Sequence, residues 1–305
     1  MPRIKIDNLI IFGDSMSDIG NKAATRMGAF ADFFGLMQVN DLGRFSDGKN
    51  WTDFFWEWAG GMSMFRPAKF ESQDPEYLAE KLAKEPKAKP STPKDESTAA
   101  TEVHRTLTVN SNQDSGFGRP ITYVNYAEGG AMGASDRSKI GLGTFRQQYE
   151  GFRAQHRSCP LVGTTMYIIW FGLNDLVTNK RDPETMNKVV EQTFEIIREL
   201  RTISGDHAHF MLINLPDPAD AVRYAELGRE DALMVRFTSG ARVFNAELAA
   251  AVAHSPSRNI RLVDMYTVLK KITASPASLA TNRLTLGAQP GVVPIDYPHV
   301  GPLPN

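Results

Sequence analysis

Short apolar runs punctuate the chain at residues 9–12, 122–126, 166–171, 209–214 and 260–263. Several lack strict apolar–polar alternation, as expected of strands that helices cover on both faces. Between them lie amphipathic stretches, notably 183–202 and 230–254, whose spacing predicts helices. The first opens Asp182, Pro183, Glu184: an N-cap type, a proline at the first helical position and an acidic first turn. Strands alternating with helices predict βαβ units, hence an α/β fold with a central, mostly parallel sheet.

Residues 67–118 break that rhythm. Lys, Glu and Pro crowd 80–94, and 110–118 is polar and glycine-bearing. The composition predicts a charged, flexible insertion at about 67–118 within one domain spanning 1–305. A lid or an arm for a protein partner is the functional alternative. Just upstream, Trp51, Phe54, Phe55, Trp56, Trp58, Met62, Met64 and Phe65 supply apolar bulk, suited to a core or to a wall for an acyl chain.

Composition narrows the classes. The 305 residues, 42% apolar and 23% charged, suit a soluble globular protein with a substantial core. A net charge of -1 gives no reason to expect nucleic acid or an anionic membrane surface as the main partner. The lone Cys159 excludes an intramolecular disulfide and, lying before a predicted strand, is expected to pack as a buried thiol. Among six histidines only His207 and His209 are close, with no cysteine near, so no metal site is expected. The glycine-rich 129–133 has neither a P-loop lysine nor dinucleotide spacing, and no cofactor is expected. No transmembrane segment is predicted, since no apolar stretch approaches 18 residues. The N-terminus lacks a signal-peptide apolar region. The expectation is a soluble chain, cytoplasmic or exported without such a peptide, or secreted after losing one.

Chemistry enters at strand ends. The first apolar run stops at Gly13, Asp14, Ser15, which puts a hydroxyl at the mouth of the sheet, where open α/β sheets bind ligands. The same residues could simply cap the next helix. A serine needs a base to take its proton, a group to orient that base, and donors for the oxyanion. Asp296 and His299, three apart, can share one side of a turn so that the carboxylate holds the imidazole. Gly129, Gly130, Ala131 and Gly172, Leu173, Asn174, Asp175 follow two other apolar runs, where turns are expected.

The nine residues 13–21 resemble the first block of the GDSL, or SGNH, hydrolase family. Residues 127–131 resemble its second block, 172–175 its third, and Asp296-x-x-His299 its last, in the family's order. Weaker echoes lie at 43–48, 214–217, 244–248 and 263–266, so the resemblance covers most of 7–300 outside 67–118. At the last block Pro298 precedes His299 and Val300 follows it, where the family usually has proline after the histidine.

The resemblance implies a three-layer α/β/α sandwich of the flavodoxin-like SGNH type. It makes Ser15 the nucleophile, His299 the base and Asp296 its orienting partner. The oxyanion hole it implies comprises the Ser15 and Gly130 amides and the Asn174 side chain. Asp18, Asn21, Asp47 and Asp217 are expected to fix loops. The implied function is a serine esterase or lipase acting on carboxylic esters of acyl lipids or phospholipids, through an acyl-enzyme on Ser15. An alcohol replacing water would make it an acyltransferase. The alternatives are a carbohydrate acetylesterase and a catalytically silent member that binds a lipid or a protein.

Overall fold

The computed structural model describes residues 5–25, 39, 44–46, 49–58, 107–110, 120–137, 142–221, 224 and 226–274. Six strands are among them: β1 (Asn8–Gly13), β2 (Leu107–Asn110), β3 (Pro120–Asn125), β4 (Thr165–Trp170), β5 (Ala208–Ile213) and β6 (Ile260–Val263). They form one sheet in the order β2-β3-β1-β4-β5-β6. Five strands are parallel, and β2 pairs antiparallel with β3 at the edge.

The first strand therefore lies in the middle of the sheet. Ile10 faces Val124 of β3 on one side and Tyr167 of β4 on the other. All six residues of β1 are buried, which explains the unbroken apolar run. Ile10, Phe12, Val124, Tyr167, Ile169, Phe210 and Leu212 point into one core. Leu9, Ile11, Ile121, Tyr123, Ile168 and Trp170 point into the other.

Seven α-helices are described: α1 (Asn21–Ala24), α2 (Trp51–Trp58), α3 (Phe145–Ser158), α4 (Leu173–Leu176), α5 (Asn187–Ser204), α6 (Ala232–His254) and α7 (Met265–Ala274). Apolar faces of α3, α5 and α6 fill the first core. Trp56 of α2 enters the second core, stacking on Tyr123 at 4.8 Å, and Met265 of α7 packs against its rim. The result is the expected α/β/α layering, with helices on both faces of the sheet. Among the described residues, no helix is long and apolar enough to cross a membrane.

Three local expectations change. The Asp182–Pro183 start opens a 3-10 turn, Pro183–Thr185, and the α-helix begins only at Asn187. Inside the supposed insertion, residues 107–110 form β2; Leu, Thr and Val suit a pleated edge. Residues 67–106 and 111–118 lie outside the described residues. Cys159 is exposed, not packed. It caps the C-terminus of α3, and five residues still separate it from the start of β4, so strand burial never reaches it.

Candidate active site

Because β3, β1 and β4 are parallel neighbours, the loops after Asn125, Gly13 and Trp170 leave the same edge of the sheet. Those loops carry Gly130, Ser15 and Asn174. Gln148 of α3 clamps the end of β1: Gly13 N–H donates to its Oε1 (3.1 Å), and its Nε2 donates to Gly13 O (2.7 Å). The next turn is pinned by Asp14, whose Oδ1 accepts from Met16 N–H (3.0 Å) and whose carbonyl accepts from Ser17 N–H (3.0 Å). Ser15 is half-buried at the apex. Among the described residues, neither its hydroxyl nor its amide has a hydrogen-bond partner.

Asp18 fastens the second loop to the first. Its carboxylate accepts from the amides of Gly20 (2.7 Å), Asn21 (2.6 Å) and Lys22 (3.1 Å), capping α1, and from Gly129 N–H (2.7 Å). Asn21 Nδ2 donates to the carbonyls of Asn125 (2.9 Å) and Ala127 (2.7 Å). Lys22 Nζ meets Glu128 at 2.8 Å. Gly130 then adopts φ +80°, the left-handed region in which glycine is unstrained. Its amide also lacks a partner among the described residues.

The third turn begins at Gly172, with φ +117°, and leads into α4. Asn174 Nδ2 donates to Ala131 O (3.1 Å) and lies 3.3 Å from Asp14 Oδ2. Thr178 Oγ donates to Asn174 Oδ1 (2.9 Å), fixing which end of the amide is NH2. Asn174 thus touches the residue before Ser15 and the residue after Gly130. Next to it, Asp175 accepts from Gly133 and Ala134.

Three carboxyls in this assembly have no exposure to water. Burial pushes Asp14 up to about 7, against the Met16 N–H bond and with help from the Asp175 charge. Burial likewise pushes Asp18 and Asp175 up to about 6 each, while their backbone donors pull the other way. Among the described residues, no group of three or more His, Cys, Asp and Glu could hold a metal ion.

A buttress lies outside the loops. Arg44 forms a two-pronged pair with Asp53 (Nε–Oδ2 3.1 Å, Nη2–Oδ1 2.8 Å) and also donates to Ile19 O. Both side chains are almost fully buried. Asn50 Nδ2 donates to Asp18 O (2.8 Å), and Trp51 Nε1 donates to Ser17 Oγ (3.1 Å). Trp51 also lies edge-on to Trp170, the last residue of β4, at 6.0 Å. Sequence reading treated residues 43–48 only as a motif echo. Asp14 and Asp175 were read only as motif members, Asp14 with a capping role; their burial and the contacts of Asp175 with the Gly133 and Ala134 amides were not foreseen.

Asp296, His299 and Asp47 lie outside the described residues. Four other histidines are described, all at the opposite edge of the sheet. His207 ends the 3-10 turn before β5, His209 lies at the start of β5, and His156 and His254 lie in the last turns of α3 and α6. A cleft of about 470 Å³ opens at that same far edge, beside Asp7, Asn8, His156 and Cys159. Asp217 sits in the loop after β5, where Lys270 Nζ (3.0 Å), Arg229 Nη1 (3.4 Å) and Thr238 Oγ (2.9 Å) bind its carboxylate.

A family model described as GDSL-like Lipase/Acylhydrolase matches residues 9–279. No curated protein matches the chain.

Proposed function

Because the chain belongs to the GDSL-like lipase and acylhydrolase family, whose reaction is the hydrolysis of ester substrates, we propose that it is a serine esterase working through an acyl-enzyme on Ser15. Ser15 Oγ attacks the ester carbonyl carbon while His299, oriented by Asp296, takes the hydroxyl proton. The carbonyl oxygen becomes an oxyanion held by the Ser15 and Gly130 amides and by Asn174 Nδ2. Collapse of the tetrahedral adduct breaks the bond to the alcohol oxygen, which leaves with the proton from His299. Water then attacks the acyl-enzyme by the same route; an alcohol in its place gives acyl transfer.

The observation that carries this reading is a set of unspent donors around one serine. Every neighbour of Ser15 and Gly130 is pinned, yet these two amides donate to no described group. Asn174 Nδ2 has one firm bond, to Ala131 O, and one long contact, to Asp14, that an oxyanion could replace. The four histidines at the far edge cannot reach Ser15, which supports a base from elsewhere in the chain, and His299 is the proposed one.

An acyl-lipid substrate is supported by Met16, Trp51, Phe55 and Met265, half-buried apolar side chains packed along the second core. Met16 and Trp51 adjoin the serine turn directly. Trp56 is core, and Phe54 is exposed.

A short-chain chromogenic ester tests the reading. Wild type should turn it over, and Ser15→Ala and His299→Ala should each lose about 10⁴-fold or more in kcat. Equal background rates for wild type and Ser15→Ala would contradict it. For the lipid preference, Trp51→Ala should raise KM for a long-chain ester more than for an acetate ester. An equal rise for both would remove that step.

A further inference from the structure

We propose that Asp175 is a positioning residue for the ester reaction, a strut that fixes the spacing between the Asn174 and Gly130 donors. This rests on the oxyanion roles given above to Gly130 and Asn174. Asp175 itself touches neither substrate nor nucleophile.

The geometry is that of a carboxylate joining two loops. Gly133 N–H donates to Asp175 Oδ2 (2.7 Å), and Ala134 N–H donates to Oδ1 (3.0 Å). Both acceptor atoms are engaged by consecutive amides of the loop that carries Gly130, in the manner of an anion nest. The carboxylate belongs to the residue after Asn174 in a fixed helical turn. Asn174 adds its own bond to Ala131 O, so the two loops are joined at adjacent points.

A buried cation stands beside the strut. Arg181, only 1% exposed, brings Nε to 3.9 Å from Asp175 Oδ1. Its amide donates to Asp175 O (2.9 Å), and its guanidinium also holds Asp136 at the end of the same loop. The ionised carboxylate strengthens the two backbone bonds relative to neutral ones.

The loop does not depend on Asp175 to exist. Met132 bridges to Gly143 and Phe145 through its backbone, and Ser135 is bound by Gln192. What Asp175 adds is distance control, and an oxyanion hole misplaced by about 1 Å can cost on the order of 10²-fold in rate.

Asp175→Asn is the direct perturbation, because it keeps size but replaces one acceptor with an NH2 that faces a backbone N–H. The expected result is a kcat about 10- to 100-fold lower with KM within about 2-fold. In an Asn174→Ala background, the same change should cost less than about 3-fold more, since the donor it aims is gone. A full, independent loss in that background, or a raised KM with normal kcat, overturns the strut while leaving the serine mechanism intact. Failure of the serine mechanism shows separately and first, as a wild type no faster than Ser15→Ala, and it overturns the strut as well. Amide exchange in the unaltered protein is a check that needs no variant to fold. Gly133 and Ala134 should be protected by about 100-fold or more over an unstructured chain, and free exchange at both overturns the proposal.

Discussion

Asp14 places a carboxyl with no exposure to water directly before the proposed nucleophile. An unfolded chain releases that proton near pH 4, whereas burial holds it until about pH 7. Between those values the folded state binds the extra proton, so stability falls as pH rises from about 4 to 7. Asp18 and Asp175 add the same sign over a narrower window, up to about 6. Asp14→Asn removes the ionisable group and keeps an acceptor for Met16 N–H, although its NH2 then faces Asn174. It should leave stability nearly unchanged at pH 4 and raise it by about 1–4 kcal/mol at pH 8. Urea unfolding at the two pH values checks this, and an equal effect at both would refute it. At the same scale, Asn174→Ala should lower kcat by about 10²–10³, with wild-type-like unfolding.

Among elements, the strands were the most legible part of the chain. Every apolar run named from sequence became a strand, with ends shifted by no more than two residues. Burial on both faces writes itself directly into composition. Edge features were less legible, because β2 gains its identity from pairing with β3 and Cys159 loses burial by falling on a helix end. The Arg44–Asp53 pair was unreadable for the same reason. The partners stand nine positions apart in sequence, and only tertiary folding makes both buried. Removing one partner strands a buried charge, so Asp53→Ala should destabilise by about 3–5 kcal/mol, measured by chemical unfolding. Replacing both by apolar residues should cost much less, and a double variant as unstable as the single one would contradict the buried-charge explanation.

In the molecule as a whole, the sheet order does the assembling. β1 connects onward to the β2–β3 side of the sheet and β4 to the β5 side, and the crevice between these diverging connections is where such sheets bind ligands. Strand periodicity gives no neighbour relations, so adjacency of the three loops was visible beforehand only through the family's block order. The structure brings Ser15, Gly130 and Asn174 to that crevice through their hydrogen-bonded neighbours. Asp18 fixes loops as expected, whereas the role of Asp175 was not foreseen, because it depends on burial among backbone amides.

Covalent capture of the nucleophile is the most direct test of the central claim. The full chain is treated with a fluorophosphonate, digested and mapped by mass spectrometry, beside His299→Ala. The account predicts one phosphonyl group per chain, on Ser15, formed far more slowly when His299 is replaced. An intact protein that takes no label, or takes it on another residue, would contradict it.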